Sequence, residues 1–428
     1  MDDLRIIKVF EDRQIKLRLT EQETNDILLI RNIIGENNLS LQADGKLLIS
    51  HYVGFVQVNK TRLLIYPKIA RIVQDEASYR KAFDALVKML SYSGFDQVKR
   101  ISTPQRLSRF DGDILELFIG IFADELLLLF KRDINRSYRR TIENQSFIKG
   151  KIDFSENIKS NSFRSHIHAV RFEEFTEDIL MNQIFKTVVA HLLKRTTLRD
   201  NRLKLSQALL WLEDVEQIKL TNDIWNKVVF TRLNHQYETV FNMAKLFYQN
   251  SSLNLNKGDE LTFSFLVPLN QLFEKYVYEI LKNSMRQGVN VKYQGPIRYL
   301  GNANGERLFQ LKPDISLVKD DQVIMIVDAK YKEVLDAEGG ALISQSDIYQ
   351  MLAYSVRYSC NQIILAYPKM IGECRKDFQL LNVEIPLEDS ILTVKAVQID
   401  LECDTSTLIE RLTHSNLFHN QDLIINVV

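Results

Sequence analysis

The stretch FQLKPDISLVKDDQVIMIVDAK, residues 309 to 330, decides the fold predicted for this chain. Phe309 to Val318 is extended in character and mostly apolar, and the polar residues that follow are typical of a turn. Val323 to Val327 is a continuous run of β-branched and aliphatic residues, which indicates a buried strand. The pattern therefore predicts a β-hairpin with Asp320 and Asp321 in its turn.

The register of this hairpin brings three polar side chains to one end of it. If residues 319 and 322 face each other across the turn, Asp314 falls opposite Val327 and beside Asp328. Asp328 and Lys330 are two residues apart, so their side chains lie on the same face of the strand. Charged groups that follow a run of apolar strand residues are costly to bury unless they are paired or bind a metal ion.

Two carboxylates and a lysine at one point suit the metal-dependent hydrolysis of a phosphodiester. Mg²⁺ takes oxygen ligands and usually needs one or two carboxylates together with substrate phosphate oxygens. We expect Asp314 and Asp328 to bind Mg²⁺, with Mn²⁺ as the alternative ion, and the carbonyl group of Val327 or Ala329 to add an oxygen. Lys330 would place a fixed positive charge near the attacking water and the phosphate. The alternative is that these groups are solvated or ion-paired charges at a hairpin end.

The segments on either side of the hairpin supply further polar residues. Leu269 to Arg286 has apolar residues at helical spacing, and Glu274 lies off the apolar stripe. A second helix, from a serine cap at position 344 or 346 to about residue 358, places Gln350 and Tyr354 on one face. Ordinary packing on a helix surface is the alternative explanation for this pair. Gln362 to Tyr367 then indicates another buried strand.

This order of helix, strand, hairpin, helix and strand resembles the PD-(D/E)xK nuclease fold. In that family the helix before the hairpin often contributes a glutamate, which Glu274 matches. Gln350 and Tyr354 resemble the Gln-x-x-x-Tyr pair of its RecB-like branch, which implies that they support the site and contact the substrate. The predicted catalytic residues are Asp314, Asp328, Lys330, Glu274, Gln350 and Tyr354.

The segment Asp328 to Lys332 after a Pro-Asp strand resembles the McrC family, the nuclease subunits of modification-dependent restriction systems that pair with a GTP-hydrolysing AAA+ ring. Three further segments are similar to that family in the same order, namely residues 52–69, 138–152 and 270–277. The resemblance implies an endonuclease that cuts double-stranded, possibly methylated DNA and depends on a McrB-like AAA+ NTPase. The family's pattern is kept at Asp314, Asp328 and Lys330, so we expect an intact site.

Composition limits the possible functions. A chain of 428 residues is long enough for two or three domains. Lys+Arg and Asp+Glu both number 55, so the net charge is zero, which argues against a strongly basic coat for nonspecific DNA binding. The sequence has no Gly-x-x-x-x-Gly-Lys-Ser/Thr motif, so we expect the partner and not this chain to hydrolyse the nucleotide.

We expect a cytoplasmic protein that does not bind a membrane. Only three cysteines occur and none form a Cys-x-x-Cys pair, which fits a reducing compartment. The first residues include acids and no long apolar run, so no signal peptide is expected. Ile114 to Phe130 is rich in apolar residues, but three acidic side chains interrupt it and favour a buried helix over a membrane span.

The predicted fold class is α+β with several domains. Residues 1–75 read as a β-rich domain that docks the partner, and they include a hairpin with Asn59–Lys60 at its turn. Residues 76–258 read as a helical middle domain that ends in a polar linker. Residues 259–428 would form the α/β PD-(D/E)xK core, which is a restriction-endonuclease-like fold.

The densest basic stretch lies in the middle domain. Arg136, Tyr138, Arg139 and Arg140 could bind phosphates and stack on a base, and Lys332 is a further candidate for DNA contact. A solvated loop, or a face that meets an acidic partner, fits the same stretch equally well.

Two other functions remain open from the sequence. A non-catalytic regulator would stimulate the NTPase of the partner and keep the nuclease fold as a scaffold, although the intact Asp/Asp/Lys set argues against it. A standalone repair nuclease, or one directed at RNA, would cut without a partner and without dependence on modification.

Overall fold

The structure, a computed structural model, describes most of the chain. The described residues are 5–58, 61–69, 75–92, 110, 112–164, 166–221, 223–249, 262–286, 288–335, 340–371, 379–388 and 390–414. The predicted turn at Asn59–Lys60 and the predicted linker at residues 250–259 lie outside them. No helix in these ranges is long and apolar enough to cross a membrane.

The chain divides into two compact units, the first made of Met1–Ile114 with Ser264–Val428 and the second of Leu115–Phe263. The predicted division into residues 1–75, 76–258 and 259–428 is a different partition, and it stays a prediction. The mixed α and β composition with several separate sheets agrees with the predicted α+β class.

The N-terminal part of the first unit contains two small sheets and two helices. Its elements are β1 (Arg5–Phe10), β2 (Ile15–Lys16), α1 (Glu21–Ile34), β3 (Leu39–Leu41), β4 (Lys46–Ile49), β5 (Tyr52–Val58), β6 (Thr61–Tyr66) and α2 (Glu76–Ser91). Helix α1 was not expected in this β-rich region. It begins with a capping box, in which Thr20 and Glu23 each accept a hydrogen bond from the other's backbone N–H. The helix then buries Ile27 and Ile30 against β-strand residues.

The second unit is largely helical, as predicted, but it also contains a three-stranded antiparallel sheet. Its elements are α3 (Ile114–Arg132), β7 (Ser137–Gln145), β8 (Lys151–Ile152), α4 (Phe154–Asn161), β9 (His168–Thr176), α5 (Leu180–Leu193), α6 (Arg199–Trp211) and α7 (Glu238–Gln249). Strand β7 is exposed along almost its whole length, so its sequence lacks the apolar alternation that would have revealed it. The apolar run predicted as a buried helix is α3.

The C-terminal part of the first unit is built on a six-stranded sheet. Its elements are β10 (Thr262–Pro268), α8 (Leu269–Ser284), β11 (Asn290–Tyr293), β12 (Arg298–Ala303), β13 (Glu306–Leu311), β14 (Ile315–Lys319), β15 (Gln322–Ala329), α9 (Gln345–Tyr358), β16 (Gln362–Pro368), β17 (Gln379–Pro386), β18 (Ile391–Ile399) and α10 (Thr405–His414). The strand order is β11-β14-β15-β16-β18-β17, with β15, β16 and β18 parallel.

Helices cover both faces of this sheet. Val327 of β15 lies with Val277 and Ile280 of α8, whereas its neighbour Ile326 packs in the cluster that contains Met351 of α9. Because successive strand residues point to opposite faces, Asp328 shares the face of Ile326 and so faces α9.

The predicted hairpin is β14–β15, and two details of the prediction are wrong. Phe309 to Val318 is not one strand, because β13 ends at Leu311 and β14 begins only at Ile315. The pairing of Lys319 with Gln322 is as predicted, but a bulge between Leu317 and Val318 shifts the register by one residue. Ile315 and not Asp314 therefore pairs with Val327, and Asp314 lies opposite Asp328.

Candidate active site

The end of the β14–β15 hairpin holds the two predicted carboxylates. Asp314 precedes β14, and its Oδ2 accepts a hydrogen bond of 2.9 Å from the backbone N–H of Ala329. Asp328 lies on β15 with none of its surface exposed, and its Oδ2 is 2.8 Å from Nζ of Lys330. The two-residue spacing thus places Asp328 and Lys330 together, as predicted. Ala329 acts here as a hydrogen-bond donor, and its carbonyl as a metal ligand stays a prediction.

The electrostatics of the two carboxylates favour a bound cation. Burial, and then the nearby charges of Asp328 and Glu274, raise the pKa of Asp314 to about 7. Burial also raises the pKa of Asp328, although Lys330 opposes the shift. Among the described residues, Oδ1 of Asp328 has no hydrogen-bond partner. A buried oxygen without a donor, beside a second repelling carboxylate, is the environment that a hard divalent cation would relieve.

The described residues contain no group of three His, Cys, Asp or Glu side chains arranged to hold a metal ion. Asp314 and Asp328 are the protein residues that could hold an ion at this site. Its other ligands would be water, substrate oxygens and backbone carbonyls, which is the usual arrangement for Mg²⁺ at phosphate-processing sites.

A chain of hydrogen bonds holds Lys330 in place from helix α9. Lys330 Nζ donates to Oε1 of Gln350 over 3.1 Å, and Nε2 of Gln350 donates to the hydroxyl of Tyr354 over 2.9 Å. The Tyr354 hydroxyl in turn donates to the carbonyl of Lys312 over 3.2 Å. The predicted pair on α9 therefore touches the lysine directly and reaches the backbone just before Asp314. Ser344, one of the two serines predicted as caps, is the N-cap of α9, which begins at Gln345.

Glu274 lies beside the two aspartates but is held by other residues. Gln294 Nε2 donates to Oε1 of Glu274 over 3.0 Å, and Tyr293 also hydrogen-bonds to this carboxylate. Burial raises the pKa of Glu274, and the charge of Asp328 adds to the shift. Glu274 is thus close enough to Asp314 and Asp328 for their charges to affect one another's pKa. Its own carboxylate is hydrogen-bonded by Gln294 and Tyr293.

Gln294 is a site residue that the sequence did not reveal. Its backbone N–H donates to the carbonyl of Asp314 over 2.7 Å, and its Oε1 accepts from Nζ of Lys312 over 2.6 Å. It adopts a left-handed backbone conformation with φ 50°. Glutamine has no special preference for this conformation, so only the following Gly295 signalled a turn.

Asp347 was also missed, and it changes the role expected for Lys332. Lys332 Nζ lies 2.5 Å from Oδ2 of Asp347, in the first turn of α9. Burial acts to raise the pKa of Asp347, but hydrogen bonds from Lys332 and Ser344 lower it below its usual range. The positive charge of Lys332 is therefore already paired, and its contact with DNA stays a prediction.

The basic stretch of the middle region lies in strand β7, apart from Arg136, which immediately precedes the strand. Each arginine is paired with an acidic residue: Arg136 with Glu177 at 2.6 Å, Arg139 with Asp178 at 2.5 Å and Arg140 with Glu173 at 3.2 Å. Tyr138 remains 69% exposed beside Phe175. These residues belong to the second unit, whereas Asp314 and Asp328 belong to the first. Their binding to nucleic acid stays a prediction.

The raised pKa of Asp314 leads to a prediction about pH and metal. An acid whose pKa is raised in the folded state stabilises the fold below its ordinary pKa, and this contribution is lost as the pH rises through the folded value. Without metal, we expect the free energy of unfolding to fall as the pH rises toward and through about 7, by at most about 1.4 kcal/mol per pH unit for each such group. Mg²⁺ should reverse the fall, because it binds the deprotonated carboxylates.

Thermal unfolding across this pH range, with and without Mg²⁺, checks the prediction. Glu11 provides a matched control, because burial raises its pKa to about 7 as well. Asp314→Asn should remove part of the pH dependence and the response to Mg²⁺. Glu11→Gln should remove a similar part of the pH dependence and keep the response to Mg²⁺. An unchanged response in Asp314→Asn would place the metal elsewhere.

Comparison with known proteins places the chain in a family. A family model described as "McrBC 5-methylcytosine restriction system component" matches residues 47–368. The "Type IV methyl-directed restriction enzyme EcoKMcrBC" of Escherichia coli K12 is 22% identical over 255 residues, which is 56% of this chain and 72% of that protein. Because the family model covers more than half of the chain, the chain belongs to this family of restriction-system components.

A solved structure shows the same fold. A chain of the assembly of Thermococcus gammatolerans McrB AAA+ hexamers with bound McrC superimposes with a TM-score of 0.73 at 21% identity, over 95% of this chain and 98% of that one. A second T. gammatolerans McrBC structure matches 65% of this chain with a TM-score of 0.49. The family model therefore confirms that the chain belongs to the family of restriction systems that its sequence resembles, and the first of these structures shows the same fold.

Proposed function

We propose that this chain is the DNA-cleaving subunit of a restriction complex that defends against foreign DNA, and that it acts as a Mg²⁺-dependent endonuclease. The six-stranded sheet with α8 and α9 would be its PD-(D/E)xK core. One observation carries the proposal: Asp328 is fully buried beside Asp314 and Lys330, and its Oδ1 lacks a donor among the described residues. A buried carboxylate oxygen without a donor is uncommon in folded proteins, and a metal ion would supply the missing partner here.

The two aspartates have one task in this proposal, which is to hold the divalent ion. When bound, the ion would lower the pKa of a coordinated water and neutralise charge on the phosphate. Asp314 must lose its proton before it can act as a ligand, and its pKa of about 7 makes this loss sensitive to pH. The N–H of Ala329 fixes Oδ2 of Asp314, which leaves the other oxygen of this carboxylate for the ion.

Lys330 acts in this proposal as a fixed positive charge and not as a base. Burial acts to lower its pKa, but the charges of Asp328, Asp314 and Asp347 raise it above its usual value. The ammonium group therefore keeps its proton at neutral pH. Gln350 holds it in position, so that its charge is preorganised for the phosphate, where charge develops during hydrolysis.

We also propose that cleavage depends on an AAA+ NTPase partner. The sequence has no nucleotide-binding loop of its own, and the matched T. gammatolerans structure is of McrC bound to McrB AAA+ hexamers. The second unit exposes several large apolar side chains close together in sequence, as expected for a surface that a protein partner covers: Phe147, Ile148, Phe154, Ile158 and Phe163. Double-stranded DNA, methylated or not, would be the substrate.

Plasmid cleavage with reconstituted components tests this function. We expect cleavage with Mg²⁺, the NTPase encoded beside this chain and its nucleotide, and little cleavage when any one of the three is left out. A comparison of methylated with unmethylated plasmid identifies the trigger. Full cleavage by the chain alone would favour an independent nuclease. Stimulation of the NTPase without any cleavage would favour the non-catalytic regulator.

A further inference from the structure

A second hairpin, β12–β13, stands immediately before Asp314 in the chain. Its strands pair only with each other and form a two-stranded sheet in the described part of the structure. The side chains of both strands are exposed or only partly buried. A two-stranded hairpin on its own is at best marginally stable in water, so other contacts must hold it in place.

Helix α9 supplies those contacts at the base of the hairpin. The hydroxyl of Tyr358 lies 2.6 Å from the carbonyl oxygen of Pro296 and 2.9 Å from that of Leu311, and the two carbonyls share its single proton. Arg357 donates from Nε to the carbonyl of Tyr299, and Arg298 donates to the carbonyl of Arg357, each over 2.6 Å. The same helix carries Gln350 and Tyr354, so the hairpin and the lysine of the site are fixed to one rigid element.

Two large apolar side chains of the hairpin are exposed. Phe309 is 73% exposed and Leu300 is 47% exposed. The two lie opposite each other, between the paired residues Tyr299–Gln310 and Gly301–Leu308. Phe309 also has a φ of 56°, which is an outlier for a bulky residue. Such strain persists where the surroundings or a function maintain it.

Positive charges lie beside this apolar pair. Arg307 is exposed, with its guanidinium group 5.7 Å from the centre of the Tyr299 ring. Lys312 is exposed one residue after the hairpin and two residues before Asp314. Glu306 at the tip is the acidic exception. An exposed aromatic residue with flanking basic residues suits contact with nucleic acid, in which phosphates meet the charges and bases or sugars meet the ring.

We propose that the β12–β13 hairpin contacts the DNA duplex next to the scissile phosphate, with Phe309 against bases or sugars and with Arg307 and Lys312 at phosphates. This inference rests on the proposed function, because it assigns residues beside the same site to the binding of its DNA substrate. A two-stranded ribbon can enter the major groove, and apolar side chains are used as wedges between base steps.

Photocross-linking tests the contact directly and does not require cleavage. The full chain would carry benzoylphenylalanine in place of Phe309, with Asp328→Asn to prevent cutting, and would be irradiated with the NTPase partner and a labelled duplex. We expect an adduct with the DNA. Benzoylphenylalanine in place of Ile391, an exposed apolar residue at the start of β18, is the control and should give none. An adduct with the partner only, or none in a sample that binds the duplex, overturns the inference.

Fluorescence anisotropy of the same duplex measures how much each hairpin residue contributes to DNA affinity. Phe309→Ala should weaken binding roughly 5- to 150-fold, the range for loss of an aromatic stack on a base. Arg307→Ala should lower the slope of log affinity against log salt by about 1, as loss of one phosphate contact does. Lys319→Ala, at the far end of β14, should leave the slope unchanged. If the slope is the same for Arg307→Ala as for Lys319→Ala, the inference is contradicted.

The two proposals can fail separately. DNA adducts and weakened binding in a complex that never cuts would keep the hairpin contact and remove the nuclease function. If Phe309→Ala cuts and binds DNA normally, the nuclease function is kept and the hairpin contact is removed.

Discussion

Exchange of Asp328 for Asn is expected to abolish DNA cleavage and, at the same time, to make the metal-free chain more resistant to heat. A metal ligand supplies several kcal/mol of charge stabilisation in the transition state, so cleavage should fall by about 10³-fold or more. The buried carboxylate, whose pKa is raised by burial, is unfavourable for folding when it is charged. Its neutral replacement should therefore raise the unfolding temperature, by about 2–4 °C for each kcal/mol of stability gained.

Cleavage rates of the reconstituted complex and thermal unfolding of the chain without metal measure the two effects. Their opposite directions make the test informative, because a variant that merely misfolds would lose both activity and stability. A variant that kept its cleavage rate would remove Asp328 from the catalytic site. A lower unfolding temperature would show that the carboxylate is structural.

Exchange of Lys330 for Met is expected to reduce both cleavage and stability. Removing one preorganised electrostatic group typically costs about 10²–10³-fold in rate. Removing one partner of a buried ion pair typically costs about 3–5 kcal/mol. The cost here should lie below that range, because Lys330 is only partly buried and Asp328 can take up a proton instead.

Lys332→Met is the matched control for this prediction. Lys332 has the same side chain two residues further along and is paired with Asp347 at 2.5 Å. Its exchange should cost stability and lower the cleavage rate of the complex less than the exchange of Lys330 does, because Nζ of Lys332 is paired with Asp347. Single-turnover cleavage and denaturant unfolding of both variants separate these effects. Equal losses of cleavage in the two variants would mean that Lys330 has no special role at the phosphate.

Elements with a strong apolar pattern could be predicted from the sequence. Helices α8 and α9 and strands β15 and β16 begin and end within a few residues of their predicted bounds, because each buries a periodic apolar face against the others. The spacing of Asp328 and Lys330 on β15 was enough to place both side chains together.

The parts that were missed depend on contacts or backbone geometry that a sequence pattern does not encode. The bulge in β14–β15 arises inside a continuous apolar run. Apolar residues there face each other in any register, so the sequence pattern cannot show the shift. The exposed strands β7 and β13 have no buried face to produce alternation. For the β12–β13 hairpin a signal did exist: Asn304-Gly305 is a favoured hairpin turn, and both residues have positive φ.

Partners in ion pairs were the hardest to foresee. The dense basic residues from Arg136 to Arg140 fitted phosphate contact as well as a solvated loop or a face for an acidic partner. In the structure, three acidic residues more than 30 positions later in sequence pair with them. Composition shows how many charges a chain carries, and only the fold shows which of them meet.

The most direct test of the central claim is plasmid cleavage by the reconstituted complex, with Mg²⁺ and nucleotide, when the chain carries Asp314→Asn or Asp321→Asn. Both substitutions remove one carboxylate from the same hairpin, but Asp314 lies at the buried end beside Asp328 and Asp321 lies in the exposed turn. We predict no cleavage with Asp314→Asn and the wild-type rate with Asp321→Asn. Cleavage at the wild-type rate with Asp314→Asn would contradict the assignment of the metal and the reaction to this site.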